Sequence, residues 1–187
     1  LIDAQGASVT RTVSVTITGT NDAPVVATAD LTGAVTEQVQ AAGDLTDTGT
    51  IAFSDADLTD MHSIGGITPA AGVLGSLTAS VSTDTTGSGT GGVITWNYKV
   101  PASAVEYLAE GQTKVETFSF DVLDGQGASV TRTVSVTIVG TNDAPIAVND
   151  FAHANESGGA GNSSGGSNAI GNVLANDSDI DTAHAGL

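Results

Sequence analysis

The chain has 187 residues and a formal net charge of −17, from 21 Asp and Glu against four Lys and Arg. Such a balance excludes nucleic acid as a partner, because phosphates need a basic footprint to neutralise them, and it disfavours anionic membrane surfaces. With 40% hydrophobic residues and no cysteine, the chain reads as a folded protein without disulfide staples, whose crowded negative charge is best relieved by bound cations.

Residues 3–25, DAQGASVTRTVSVTITGTNDAPV, return at 124–146 as DGQGASVTRTVSVTIVGTNDAPI, identical at 20 of 23 positions. Self-similarity at so long a period marks tandem modules of ordinary domain size. The repeat divides the chain into the last strand of a preceding module (1–22), a complete module (23–143) and the start of a following one (144–187). Within the complete module, 49–53 and 72–81 are strand candidates. Ile94, Trp96, Tyr98 and Val100 alternate with Thr95, Asn97 and Lys99, which places the aromatics in the core rather than on a sugar-binding surface. A short helical turn is expected in ASAVEYLAEG, with Val105 and Leu108 inward and Gly111 ending it. Phe118, Phe120 and Val122 form one face of the next strand. Val130, Arg132, Val134, Val136 and Ile138 form one face of the last, with Thr131, Thr133, Ser135 and Thr137 opposite. Many short strands and glycine-rich turns with almost no helix point to an all-β, antiparallel sandwich, a closed barrel being the alternative.

The carboxylates avoid strand interiors and collect where strands end: Asp55 and Asp57, Asp121 and Asp124, Asn142 and Asp143, then Asp177, Asp179 and Asp181. Pro24 and Pro145 follow each Asn-Asp pair and force an extended exit, so successive modules meet at a short, stiff joint. Asp55, Asp57 and His62 line up with Asp177, Asp179 and His184 at an offset of 122. Converging acids of this kind suit Ca²⁺, which takes six to eight oxygen ligands. The competing reading is that Asp, Asn and Gly stand there because they favour turns.

FSFDVLDGQGASVTRTVSVTIVGTNDAPI resembles the closing strands and linker of the VCBS repeat, a module of very large bacterial surface and secreted proteins, and GGVITWNYKVPASAVEYLAEGQT is similar to its middle. From 146, AVNDFAHANESG and GNVLANDSDID resemble the opening of a bacterial cadherin-like domain. The resemblance implies cadherin/Ig-like Greek-key sandwiches in tandem, with calcium at their joints. By similarity to cadherin linkers, the second joint would draw on Glu37, Asp121, Asp124, Asn142, Asp143, Asp177 and Asp179. The first would draw on Asp3, Asn21, Asp22, Asp55 and Asp57. Glu156 would serve a further joint. Gly140 and Ala144 stand where cadherin linkers often carry Asp and Asn, so one or two ions per joint are expected rather than three.

Other motifs do not complete themselves. GGAGNSSGG (158–166) lacks the Asp of a calcium nonapeptide, and DSDIDT (177–182) carries Thr182 where an EF-hand loop needs Gly. The histidines His62, His153 and His184 have no zinc spacing. There is no Cys nucleophile, no Gly-x-Ser-x-Gly elbow and no phosphate loop, so no enzyme is expected. The resemblance therefore implies a calcium-stiffened spacer of a secreted or surface-bound bacterial adhesin, partnered by neighbouring modules, serving cell adhesion or biofilm formation. The alternatives are a glycan- or protein-binding module using loops 84–92 and 157–167, or an accessory spacer of a large secreted enzyme.

Overall fold

The computed structural model describes residues 1–161 and 163–181. Its nine strands are β1 (Val25–Ala29), β2 (Thr32–Thr36), β3 (Asp44–Ser54), β4 (Ser63–Ile64), β5 (Thr68–Pro69), β6 (Ser76–Thr83), β7 (Gly92–Pro101), β8 (Thr113–Leu123) and β9 (Ser129–Val139). They form a β-sandwich. One sheet has the order β1-β3-β7-β6, the other β2-β9-β8-β4, with β5 also on β8. The expected turn at 102–111 is present: a short 3₁₀ segment (Ala102–Ala104) precedes buried Val105 and Leu108. Among the described residues, no helix is long and apolar enough to cross a membrane.

The sheets are not wholly antiparallel. β2 pairs parallel with β9, from Thr32 opposite Ser135 to Thr36 opposite Val139. The reason is connectivity. The chain runs along β1 in the first sheet, crosses at Asp30 and Leu31, and continues in the same direction in the second sheet beside β9. The crossing is tied down by the Trp96 indole, whose N–H donates to the Asp30 carbonyl at 2.7 Å.

Alternation fills the core as the period-two pattern requires. Ile94, Trp96, Tyr98 and Val100 of β7 are at most 1% exposed, as are Val134, Val136 and Ile138 of β9. Gly49 of β3 lies flat against Trp96: a Cβ there would stand 2.5 Å from the indole. Glu116 also points inward, yet it is satisfied, accepting from the Leu74 and Gly75 amides and from the Tyr98 hydroxyl at 2.6–3.0 Å. Such a buried acid is structural, because each of its oxygens has a donor.

Two ends follow from this topology. The leading end, where the chain enters β1, gathers the starts of β1 and β9 and the ends of β3 and β8. The trailing end gathers the ends of β2, β7 and β9. Eleven-residue β9 spans roughly 36 Å between them.

Candidate metal centre

At the trailing end, the parallel β2–β9 pairing delivers Glu37 to the linker. Its N–H donates to the Val139 carbonyl at 2.8 Å, extending the ladder one residue beyond β2. Its carboxylate accepts from the Thr141 amide at 2.9 Å and from the Thr141 hydroxyl. The 102–111 turn folds over the same linker and brings Glu106. Gly140 passes so close beneath it that a Cβ would sit 2.1 Å from the Leu108 carbonyl oxygen. That contact accounts for glycine where the resemblance expects Asp. Glu37, Glu106 and Asp143 then present carboxylate oxygens within 4.8 Å of one another. Asp181 joins them, its carboxylate accepting from the Asp143 amide at 2.9 Å while its own amide donates to Asp179 at 3.0 Å.

At the leading end, the loop after β3 carries Asp55, Asp57 and Asp60, which likewise present oxygens within 4.8 Å of one another. The first linker meets them: the Asp22 amide donates to Asp57 at 2.6 Å, and the Asp57 amide donates to Asp55 at 2.9 Å. The Asn21 side-chain Nδ2 donates to the Asp124 carboxylate at 2.7 Å. Asp124 is thereby held below the usual carboxylate range, first by Asn21 and, against its burial, by the amides of Gln126, Gly127 and Ala128. His62 lies behind this loop with its ring nitrogens 3.0 Å from Asp55 and 2.7 Å from Asp84. Burial lowers its pKa, but the hydrogen bonds and charges of Asp55 and Asp84 outweigh that and raise it. A neutral imidazole donates from one nitrogen only, so the arrangement favours the imidazolium.

Unsatisfied oxygens mark both clusters. Among the described residues, the buried side-chain polar atoms without a hydrogen-bond partner are Glu37 Oε1, Glu106 Oε1, Asp60 Oδ2, Asp181 Oδ1 and both Asp143 carboxylate oxygens. All are carboxylate oxygens of the two ends. Leaving such groups buried and unpaired is costly, and several like charges together make it more so. Burial raises the pKa of Asp60, aided by Asp57, Asp124 and Asp55. It raises Asp143, aided by Glu37, Asp181 and Asp179. Glu106 is pushed up to about 7 by burial and by the adjoining Glu37 and Asp143. The clusters could hold a metal ion. Their donors are oxygens, and the one nearby imidazole has both nitrogens engaged, which suits a hard cation.

These shifts fix a pH dependence in the absence of divalent cations. A carboxyl whose folded pKa is raised stabilises the fold below its ordinary range, and that stabilisation is lost as pH rises through the folded value. His62, also raised, acts in the same direction. Asp124 and Asp84, both lowered, act only under more acidic conditions. In chelator, the melting temperature should therefore fall from about pH 5 to about pH 8. Glu106→Gln should flatten the slope. A melting temperature that rises over this interval would count against the clusters as built.

The structure relocates several residues. Asp124, expected at the second joint, lies at the first, because the β8–β9 turn must sit at the end opposite the linker into which β9 runs. Asp121 stays on the outer face of β8, accepting from the Thr131 hydroxyl. Asp3 is exposed and holds its own turn through the Gln5 and Ala7 amides. Asn142 is exposed and donates to the Asp143 carbonyl. Glu156 is exposed and belongs to neither cluster. Asp177 accepts from the Val148 amide rather than from the linker.

The Asp-x-Asp correspondence also shifts by two residues. Asp57 receives the Asp22 amide as Asp181 receives the Asp143 amide, and Val25 bridges Ser54 as Ile146 bridges Ser178. Ser54-Asp55-Ala56-Asp57 thus matches Ser178-Asp179-Ile180-Asp181. The matching of His62 with His184, and the end of the EF-hand-like stretch at Thr182, lie outside the described residues.

Glu106 and Asp60 were not singled out from sequence. Asp60 is the third acid of SDADLTD (54–60). For Glu106 the only signal was its place in the turn before the linker.

No family model matches the chain, and no curated protein matches it. A solved structure, the N-terminal domain of PorA, is similar at 16% identity and a TM-score of 0.38, covering 63% of this chain and 96% of that one.

Proposed function

We propose that the chain is a structural spacer whose joints are stiffened by Ca²⁺, part of a large secreted or surface-exposed bacterial adhesin. The observation that carries this reading is the set of orphaned carboxylate oxygens, confined to the two ends of the sandwich where the GTNDAP linkers lie. Glu37, Glu106, Asp143 and Asp181 would hold the ion at the trailing end; Asp55, Asp57, Asp60 and Asp124, with Asn21 and Asp22, would do so at the leading end. Ca²⁺ bound there neutralises the clustered charge and ties each linker to the module on either side. Its partners are neighbouring modules of the same chain, and a cell-surface or matrix ligand would be bound elsewhere in the parent protein. The chain itself is neither an enzyme nor a nucleic-acid binder.

Extracellular modules of this type bind Ca²⁺ at about 10⁻⁴–10⁻³ M. At about 1 mM Ca²⁺, roughly one to ten times Kd, linkage supplies about 0.4–1.4 kcal/mol per site, enough to raise a melting temperature by roughly 1–6 °C. The test is a Ca²⁺ titration that follows thermal stability and small-angle scattering together. Millimolar Ca²⁺ should raise the melting temperature and narrow the distribution of particle lengths. Indifference of both quantities would return the joint acids to the role of turn residues.

A further inference from the structure

The loop holding Asp55, Asp57 and Asp60 is braced by a second loop, residues 84–91. The Asp55 amide donates to the Gly89 carbonyl at 3.0 Å, the Gly87 amide to the Leu58 carbonyl at 2.7 Å, and the Thr86 hydroxyl to the Asp60 carbonyl at 2.6 Å. This second loop is the stretch that sequence suggested for ligand recognition, and its hydrogen bonds face the acidic loop instead. His62 stands between the two. Its side chain has no exposed surface. Asp84 grips it twice, through the His62 amide at 3.0 Å and through Nδ1 at 2.7 Å. Phe53 meets the ring edge-on at 4.9 Å between centroids. A ring so held cannot turn, and its Nε2 is aimed at Asp55 Oδ2, 3.0 Å away. The other oxygen of Asp55 accepts from the Asp57 amide.

We infer that His62 is a positioning residue for the cation site at the leading end: with Asp84 it fixes the rotation of the Asp55 carboxylate, and so the convergence of Asp55, Asp57 and Asp60. The inference rests on reading that cluster as a cation site. A separate observation aims the cluster at a cation: Asp60, 3% exposed, carries a carboxylate oxygen with no hydrogen-bond partner. Stability alone does not call for a histidine here. Burying an ion pair gains little over apolar side chains of the same volume. What two opposed ring nitrogens add is a rigid span between two carboxylates, the kind of outer support whose loss weakens metal affinity about 10–100-fold.

The experiment is a Ca²⁺ titration read by amide NMR on the full chain. The amides of Asp22 and Asp57 report the leading end; those of Thr141 and Asp143 report the trailing end. His62→Gln should weaken Ca²⁺ at the leading reporters at least tenfold and leave the trailing reporters unchanged. Asp84→Asn should act in the same direction, and it carries the test if His62→Gln loses its dispersed spectrum. Leu77→Ala, a core truncation distant in role, should change neither affinity and so separates positioning from general loss of stability. Leading-end affinity kept within twofold in both brace variants, or tightened in either, overturns the inference alone. Wild-type amides indifferent to Ca²⁺ at the leading end overturn it together with the cation reading.

Discussion

In chelator, Asp143→Asn should melt at a higher temperature than the wild type; in millimolar Ca²⁺ that advantage should shrink. Asp143 is 5% exposed, and neither carboxylate oxygen has a hydrogen-bond partner. Its charge is buried among Glu37, Asp181 and Asp179, which together with burial raise its pKa. The backbone contact to Asp181 comes from the Asp143 amide and survives the substitution. The Asn side chain removes one charge and brings two donors to a place crowded with acceptors. Relief of one unsatisfied buried group is worth about 1–3 kcal/mol, so the metal-free variant should gain several degrees. With Ca²⁺ present at about 1 mM, the variant has lost a charged ligand, and the roughly 0.4–1.4 kcal/mol of linkage available to the wild type shrinks with the affinity. Differential scanning calorimetry in chelator and in Ca²⁺ reads both differences. Destabilisation in both buffers would mean that the carboxylate serves the local turn, and the cation reading of the trailing end would fall.

How far the site was legible in the sequence depends on what each residue answers to. Trp96 and Tyr98 were placed in the core by parity alone, since a pleated strand leaves them no other face once Ile94 and Val100 are inside. Asn21, Asp22 and Asp143 were found through the repeated linker. Asp124 was assigned to the second joint by similarity to cadherin linkers, but β9 carries the chain roughly 36 Å from its turn to that linker. The slip in the Asp-x-Asp match came from anchoring on His62 and His184, when Ser54 and Ser178 hold the bridges that fix the register. Glu106 answers to no local pattern. It reaches the cluster only because the 102–111 turn closes over Gly140, a contact between distant parts of the chain.

The same comparison predicts two opposite outcomes for one substitution. Residues 8–17 and 129–138 are identical in sequence, yet only the second is a strand. In the 187-residue chain, Val136→Asp should unfold the sandwich, whereas Val15→Asp, at the matching position of the first copy, should change stability by no more than about 0.5 kcal/mol. The turns that precede them form alike. Asp3 and Asp124 each donate their amide to an alanine carbonyl four residues on, at 2.8 and 3.2 Å, and Ile2 bridges Ser8 as Leu123 pairs with Ser129. Such a turn needs only its own residues. The strand needs neighbours. In β9, Val134, Val136 and Ile138 are fully buried between β2 and β8; in the first copy, Val13, Val15 and Ile17 are 79–91% exposed. Strand preference is thus a preference for a half-buried surface. An aspartate at 136 would place an unpaired charge in the core, a loss exceeding about 4 kcal/mol and comparable to the stability of a domain this size. Urea denaturation of the two variants measures the contrast. Equal loss of stability in both would show that the first copy contributes to the fold through contacts of its own.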